Sequence, residues 1–344
     1  MPAVHVVLPG DIDDPATPSG GNAYDRRVCA GLAATGWTVR EHGVPGAWPH
    51  PDEAARARLA GVLAALPEGT TVLYDGLVAS AVPELLAAQA GRLRQVVLVH
   101  MPLGDDAEAR GLPHADALVT TSGWTRELLL ARHRIDPDRV TVAVPGVDPA
   151  DVAAGTATGT ALLCVAAVTP VKGHDVLVDA VTGLAGRPWT LDCVGALDRD
   201  PAFVAALRQR VDRGGLAGRV RWHGPLTGPA LAAAYAGADL LVLPSRAETY
   251  GMVVVEALAR GLPVLGTTAG GVPEALGRAG DGTPPGMLVP PEDPVALAGA
   301  LRRWLHSADL RDRLRRAARD RRVDLPGWPA TTTVISQVLD GVRT

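Results

Sequence analysis

The sequence predicts an α/β protein with two doubly wound domains, each built on a parallel sheet that helices cover on both faces. Three observations support this prediction. Short Val- and Leu-rich runs alternate with Ala-, Leu- and Arg-rich segments of helical pattern, the same rhythm restarts after residue 155, and a length of 344 residues is enough for two cores. Residues 151–160 lack periodicity and are rich in Gly, Thr and Ala, so they mark the break.

The predicted strands are short, continuous apolar runs. They occupy residues 4–8, 71–74, 96–100, 117–121 and 140–144 in the first half and 161–168, 189–194, 220–222, 240–243 and 264–266 in the second. We predict a first domain over 1–153, a second over 154–325 and a carboxyl-terminal segment over 326–344. Parallel sheets of this kind bind ligands beyond the carboxyl ends of their strands, so residues that follow strands should be the informative ones.

Composition excludes several classes of protein. An apolar fraction of 47% with 20% charged residues indicates a globular chain, and a net charge of −4 gives no overall attraction to nucleic acid. The three cysteines (29, 164 and 193) are far apart and predict free core thiols rather than a zinc site. We see neither a signal peptide nor an apolar run long enough to span a bilayer, and we expect a cytoplasmic protein.

The first half offers a glycine pair and a histidine as candidate ligand contacts. Gly20 and Gly21 lie in a Ser-Gly-Gly-Asn stretch that opens a predicted helix, where free N–H groups attract anions. A plain turn and a ligand-binding loop both stay open, although the missing G-x-G-x-x-G spacing argues against NAD. His100 ends the strand QVVLVH, where it would either contact a ligand or serve the structure. Residues 121–125 read mainly as a helix cap.

In the second half, charged residues follow predicted strands. Lys172 and Gly173 form a turn in which a compact cation suits a diphosphate, and a solvated surface lysine is the alternative interpretation. Glu248 lies in the loop after DLLVLPS, and Glu256 lies one turn inside the apolar helix that follows. A buried carboxylate needs a partner, and a ribose diol is such a partner because a carboxylate can accept from two hydroxyls. A helix cap and a solvated helix face are the alternative interpretation of the two glutamates.

The spacing Glu248-x₇-Glu256, with TYG between and EALARGLPVLGT after it, resembles the signature of family 4 retaining glycosyltransferases of group 1, which have the GT-B fold. Five further segments resemble that family in the same order, and together they cover nearly the whole chain: PSGGN, VLVHMP, VPGVD, VTPVKGHDVLVDA and RVRWHGPLTGPALAAAYAGADLLVLPS. The resemblance implies two Rossmann-like domains that face a central cleft, with the last helix crossing back to the first domain. It also implies a nucleotide-sugar donor on the second domain and an acceptor on the first.

The resemblance implies roles for individual residues. Glu256 would bind the ribose, Glu248 the hydroxyls of the transferred sugar, and Lys172 the diphosphate. The N–H groups of Gly251, Met252 and Val253 would also hold the diphosphate.

Residues outside this motif complete the implied site. Gly20 and Gly21 would approach the diphosphate and sugar, and His100 would lie near the reacting sugar. The backbone around Gly224 and Leu226 would lie near the base. Glu248, His100 and Lys172 are thus the predicted catalytic residues.

Two departures from the family pattern bear on the chemistry. The arginine that usually precedes the lysine by five residues is Ala167 here, which removes a bidentate phosphate contact unless Arg199 or Arg246 replaces it. No Asp-x-Asp motif is present to hold a metal, and DRD at 198–200 departs from it, so we predict a metal-independent reaction without a cofactor.

The expected function is therefore an enzyme that transfers a hexose, with retention, from a UDP- or GDP-linked donor to an unidentified small-molecule or lipid acceptor by a front-face mechanism. A non-catalytic sugar-nucleotide-binding protein and a nucleotide-sugar epimerase are the alternatives. No nucleic-acid partner is expected. Residues 302–322 contain nine arginines and three aspartates, which favours a solvated helix with internal ion pairs and leaves a weak peripheral membrane contact open.

Overall fold

A computed structural model describes residues 1–14, 19–184, 186 and 188–343. The chain forms two compact units. The first contains Met1–Gly146 together with Pro326–Thr344, and the second contains Val147–Leu325.

The first unit is built on a six-stranded parallel sheet of order β2-β1-β3-β4-β5-β6. Its strands are β1 (Ala3–Pro9), β2 (Thr38–Val44), β3 (Thr71–Asp75), β4 (Arg94–Val99), β5 (Ala117–Thr120) and β6 (Val140–Val142). Its first six helices are α1 (Gly20–Ala34), α2 (Glu53–Ala64), α3 (Gly76–Ser80), α4 (Pro83–Gln89), α5 (Asp106–Gly111) and α6 (Gly123–Arg132).

The second unit has a parallel sheet of the same size, with the order β12-β11-β10-β7-β8-β9. Its strands are β7 (Ala161–Val165), β8 (Thr190–Val194), β9 (Val220–Gly224), β10 (Leu240–Leu243), β11 (Val264–Thr267) and β12 (Gly286–Val289). The helices are α7 (His174–Thr182), α8 (Pro201–Arg213), α9 (Gly228–Ala236), α10 (Met252–Ala259), α11 (Val272–Leu276), α12 (Pro294–His306) and α13 (Ala308–Arg321).

Side chains of the first sheet alternate between two hydrophobic layers, as a sheet covered on both faces requires. Val4, Val6 and Leu8 of β1 pack in one layer, whereas Val7 and Val44 pack in the other. The predicted class, two doubly wound parallel-sheet α/β domains, is confirmed. The prediction missed β2 and β12, which are edge strands. The half-exposed sequence TVREHGV of β2 lacks the continuous apolar run of an inner strand.

The carboxyl-terminal helix α14 (Trp328–Gly341) packs in the first unit, against α1. Trp37 Nε1 donates to Ser336 Oγ at 2.9 Å, and Thr331 Oγ1 donates to the carbonyl oxygen of Val144 at 2.8 Å. At the contact with α1, a Cβ atom added to Gly31 would lie 2.2 Å from Thr332 Oγ1, so this glycine sets how closely the two helices approach.

The first boundary between the units falls at Gly146/Val147, earlier in the chain than the predicted break at 153/154. Backbone hydrogen bonds explain the difference. The N–H of Ala153 donates to the carbonyl oxygen of Arg260 at 2.8 Å, and the N–H of Gly155 donates to the carbonyl oxygen of Ala236 at 3.0 Å. The Gly- and Thr-rich segment is therefore part of the second unit rather than an independent linker.

The arginine-rich segment 302–322 is not one solvated helix, because α12 ends at His306 and Ser307 caps α13. Arg311 donates to the carbonyl oxygen of Trp304 at 2.9 Å, and Arg315 forms a 2.9 Å ion pair with buried Asp239. These contacts correct the expectation of internal ion pairs: the arginines join α13 to α12 and to the body of the second unit.

The three cysteines are free and buried, as predicted. Burial raises the pKa of Cys29 and of Cys164 to about 12, so both thiols stay protonated at neutral pH. Among the described helices, none combines the length and the apolar character that crossing a bilayer requires.

Candidate functional site

Glu248 lies in the loop between β10 and α10, after four fully buried strand residues. Its Oε2 atom accepts from Lys172 Nζ at 2.7 Å and from Ser245 Oγ at 3.2 Å. The side chains of Lys172 and Glu248 are 27% and 14% exposed, so the pair is reachable from solvent. The structure thus brings together two residues that lie 76 positions apart in the chain.

Two glycines from the loop after β11 support the backbone of Glu248. A Cβ atom on Gly270, whose φ is +55°, would lie 1.8 Å from the Glu248 carbonyl oxygen. A Cβ atom on Gly271 would lie 2.3 Å from the Thr249 carbonyl oxygen. The Gly271 N–H donates to the backbone carbonyl oxygen of Glu248 at 3.0 Å. A side chain at either position would displace the glutamate loop, so this pair of glycines serves close backbone packing.

Lys172 reaches Glu248 because residues 170–173, which we call the lysine turn, lie directly on the end of β10. Gly173 has a φ of +70°, and a Cβ atom there would lie 2.0 Å from the Pro244 carbonyl oxygen. Any other residue would be strained at this φ and would also push the turn away.

Arg246 ties the lysine turn to the glutamate loop. Its N–H groups donate to both carboxylate oxygens of Asp175, at 2.8 and 2.7 Å, and its Nε donates to Glu292 at 3.0 Å. Its backbone N–H also donates to Val171 at 2.8 Å. Burial works against the ionised form of Asp175, but the contacts with Arg246 outweigh it and lower the pKa of that carboxyl.

These contacts correct the idea that Arg246 stands in for the arginine missing at Ala167. The guanidinium of Arg246 is already occupied by two carboxylates and by the Pro170 carbonyl oxygen. Its role in this structure is to hold the lysine turn in place.

Glu256 lies in α10, and its partner within the protein is Tyr235 of α9. The Tyr235 hydroxyl donates to Glu256 Oε2 at 2.8 Å, and the Arg260 guanidinium lies 4.5 Å from the centre of the tyrosine ring. Burial raises the pKa of Glu256, while Tyr235 and Arg260 act in the opposite direction. From the sequence, a ligand was the predicted partner of this carboxylate. The tyrosine is a partner that only the packing of α9 on α10 reveals.

The first turn of α10 provides N–H groups next to Glu248. Gly251, with a φ of +96°, starts the helix, and a Cβ atom there would lie 3.5 Å from Glu248 Cγ. Met252 and Val253 are half-buried. The first N–H groups of a helix have no acceptor within it, so those of Met252 and Val253 can bind an anion beside the glutamate.

Gly224 and Leu226 lie at the carboxyl end of β9, an edge strand separated from β10 by β7 and β8. Gly224 has a φ of +70°, and its carbonyl oxygen accepts from the N–H of Gly195 at 2.8 Å. Leu226 is half-buried. The two residues therefore share a sheet edge with the glutamate loop without belonging to the same cluster of contacts.

In the first unit, His100 follows β4 and contacts two buried aspartates. Its Nε2 atom lies 2.7 Å from Asp25 Oδ1 and 3.8 Å from Asp75 Oδ2. Burial lowers the pKa of His100, but Asp25 and Asp75 outweigh that effect and the net shift is upward. Burial and the charge of Asp25 together raise the pKa of Asp75 to about 7.

This cluster is a set of buried, hydrogen-bonded acids and a histidine. Its three ligand atoms lie within 4.8 Å of one another, a spacing that could also hold a cation. The 2.7 Å separation of His100 Nε2 and Asp25 Oδ1 is that of a charge-assisted hydrogen bond. His100 was predicted from the sequence as a site residue, whereas Asp25 and Asp75 were not.

Gly20 and Gly21 form the first turn of α1, which Ser19 caps by accepting from the N–H of Asn22 at 3.0 Å. They are helical residues rather than a free loop. A Cβ atom on Gly21 would lie 3.4 Å from His100 Cδ2, so the structure places the second glycine directly beside the histidine.

Comparison with known proteins agrees with this geometry. Residues 159–307, which contain Lys172, Glu248 and Glu256, match the family model described as glycosyl transferases group 1.

The chain carries a glycosyl transferases group 1 domain.

Proteins similar to this chain include two that are named D-inositol 3-phosphate glycosyltransferase. The one from Jonesia denitrificans is 34% identical over 256 residues, which are 69% of this chain and 59% of that protein. The one from Streptomyces scabiei is 31% identical over 245 residues, which are 65% of this chain and 53% of that protein. The chain thus spans little more than half the length of these relatives.

Two solved structures show the same fold as this chain. HepE of Anabaena, in complex with UDP and glucose, gives a TM-score of 0.79 at 17% identity and covers 99% of this chain and 100% of its own. Sucrose-phosphate synthase of Thermosynechococcus elongatus gives 0.78 at 20% identity and covers 99% of both chains. The predicted GT-B fold class is confirmed.

Proposed function

We propose that the protein is a retaining hexosyltransferase that uses a nucleotide-diphosphate sugar as donor. One observation carries the proposal: within the group 1 domain, the Lys172 ammonium contacts Glu248 at 2.7 Å, beside the amino-terminal end of α10. This arrangement combines a cation, unpaired N–H groups and a carboxylate that can accept from sugar hydroxyls.

The chemistry of glycosyl transfer suits these groups. Positive charge develops on the transferred sugar and negative charge on the departing diphosphate. Lys172 and the N–H groups of Gly251, Met252 and Val253 would stabilise the diphosphate, because fixed positive charge and dipoles act on charge that appears in the transition state. Glu248 would accept from hydroxyls of the sugar, and Glu256 from the ribose.

Residues outside the lysine turn and the glutamate loop would complete the site. His100 and Gly21, which lie together in the first unit, would contact the reacting sugar, with Gly20 next to them. The backbone around Gly224 and Leu226 would contact the base. A front-face reaction, in which the leaving phosphate helps to deprotonate the acceptor, assigns no protein residue as base. With Lys172 at the diphosphate, we propose that no metal is required.

The first donor to test is UDP-glucose. HepE was solved with UDP and glucose, which makes a uridine-linked hexose the first choice, and GDP-linked hexoses are the second. Two relatives are named as acting on D-inositol 3-phosphate, so a small polyol phosphate is the first acceptor to test. A lipid acceptor is the second.

The test is a transfer assay with each donor and acceptor, with and without EDTA, followed by mass spectrometry of the products. We expect transfer that EDTA leaves unchanged and a product with the anomeric configuration of the donor. Lys172→Ala and Glu248→Gln should each lower kcat by about 10²–10³-fold, the usual effect of removing one stabilising group. The control variant Glu84→Gln, in an exposed ion pair of the first unit, should keep full activity. Transfer that survives both site variants would contradict the proposal.

A second candidate is a sugar-nucleotide-binding protein without turnover. It is favoured by Ala167, which stands where the resemblance expects an arginine, and by the engagement of Arg246 with Asp175 and Glu292. Calorimetry separates the two functions: tight binding of UDP-glucose without product, unchanged by Glu248→Ala, would favour the binding protein.

A further inference from the structure

The protein hydrogen-bonds one of the two carboxylate oxygens of Glu256. Its Oε2 atom accepts from Tyr235 at 2.8 Å, whereas Oε1 accepts no hydrogen bond from any residue that the structure describes. The side chain keeps part of its surface open to solvent. A carboxylate has two oxygens and about four acceptor positions, so one bond to the protein leaves capacity for a diol.

We propose that Tyr235 is a positioning residue for nucleotide recognition, which holds Glu256 so that its free oxygen accepts from the ribose of a nucleoside diphosphate. This inference rests on the proposed function, since it assumes that a nucleotide is the ligand. Tyr235 itself does not contact the nucleotide and acts through the glutamate.

The surroundings of Tyr235 support this role. The side chain is fully buried, with 0% of its surface exposed, and a buried hydroxyl without an acceptor is costly. Arg260 lies over its ring and also donates to the backbone carbonyl of Glu256 at 2.8 Å. Tyrosine, arginine and glutamate therefore form one unit in which the carboxylate has a defined position.

The Tyr235 hydroxyl also affects the pKa of Glu256. Burial raises the pKa of Glu256, the bond from Tyr235 and the charge of Arg260 lower it, and Asp148 raises it. Removing the hydroxyl therefore moves the pKa of Glu256 further up. The ionised form of Glu256 is the one that accepts from both ribose hydroxyls. As the pH is lowered, the variant without the Tyr235 hydroxyl should therefore lose ribose recognition at a higher pH than the wild type.

The experiment compares ribose with deoxyribose in the full chain. Dissociation constants of UDP and 2′-deoxy-UDP, or of GDP and 2′-deoxy-GDP, are measured by calorimetry for the wild type and for Tyr235→Phe. The wild type should prefer the ribonucleotide. Tyr235→Phe should reduce that preference about tenfold, the typical effect of losing a well-placed hydrogen bond to a charged group, and should leave the deoxynucleotide's affinity nearly unchanged.

Two variants sharpen the comparison. Tyr74→Phe removes the hydroxyl of another fully buried tyrosine, which donates to Gln95 in the first unit, and should leave the preference intact. Glu256→Gln should lose the preference by itself, and adding Tyr235→Phe to it should change nothing more, because the tyrosine acts through the carboxylate. Thermal melts establish that each variant is folded.

The outcomes separate this inference from the proposed function. If Tyr235→Phe weakens both nucleotides equally, or keeps the ribose preference and its pH dependence, the tyrosine only fills the core and the inference is overturned while the proposed function stands. If the wild type binds neither UDP nor GDP, both are overturned. A ribose preference that falls in Tyr235→Phe and disappears at a higher pH than in the wild type supports the inference.

Discussion

Replacing Gly31 by alanine should destabilise the first unit by forcing apart α1 and α14. The added Cβ atom would lie 2.2 Å from Thr332 Oγ1 and 3.0 Å from Thr332 Cγ2, well inside normal contact distances. Thr332 cannot rotate away without loss, because its hydroxyl donates to the carbonyl oxygen of Trp328 at 3.0 Å. Relief must come from a separation of the two helices or from a broken hydrogen bond.

The magnitude follows from two opposing terms. An overpacked methyl group typically costs about 1–3 kcal/mol, whereas exchanging a helical glycine for alanine gains about 0.5–1 kcal/mol. The net loss at Gly31 should be roughly 1–2 kcal/mol, which corresponds to a fall in Tm of about 2–8 °C for a unit of this size. At Gly61 in α2, a Cβ atom would meet nothing within 4 Å, so the same exchange should stabilise the protein.

Scanning calorimetry and urea unfolding of both variants test the prediction. Gly31→Ala should melt below the wild type and Gly61→Ala above it. Combining Gly31→Ala with Thr332→Ala removes the two closest atoms and should restore much of the lost stability. If Gly31→Ala were as stable as Gly61→Ala, the close approach of α1 and α14 in the first unit would be refuted.

Two further predictions concern charge. The rings of His5 and His42 stack and share a 2.8 Å hydrogen bond, and burial is the main cause that lowers the pKa of both. The neutral histidine pair stabilises the fold fully above the ordinary histidine pKa of about 6.5, and this stabilisation is lost as the pH falls below that value. Urea unfolding should therefore show a steeper loss of stability between pH 7.5 and 5.5 in the wild type than in His42→Gln. Asp175→Asn removes the bidentate acceptor of Arg246, loosens the lysine turn and should raise the donor KM severalfold with little change in Tm. Asp179→Asn, on the same helix but in an exposed pair, should leave KM unchanged, and equal effects of the two variants would contradict the positioning role.

Local sequence patterns were sufficient for the inner strands and for the loops that follow them. A continuous apolar run such as LLVL of β10 is typical of a strand buried on both faces, and a parallel sheet requires functional groups at its carboxyl edge. The edge strand β2 was not predicted from the sequence. It has a neighbouring strand on one side only, so its sequence tolerates polar residues. Its pattern therefore resembles that of a loop.

The partners of the predicted residues could not be predicted from spacing. Asp25 and Asp75 reach His100 from α1 and from the end of β3, and Asp25 lies 75 positions away along the chain. Nothing in a helix such as DRRVCAGLAA marks one aspartate as buried. Burial depends on which face of the helix meets the sheet, and that is a property of packing.

Glu248 and Glu256 show where the two kinds of information divide. Their types, their spacing and the Gly251 that starts the helix between them are local, so the sequence alone identified the motif and the fold class that carries it. Only the folded structure paired Glu248 with Lys172, Glu256 with Tyr235, and Arg246 with Asp175 rather than with a ligand. The physical reason is that a hydrogen bond or ion pair requires side chains from distant strand–helix connections to meet within about 3 Å, and the docking of whole elements decides which of them do.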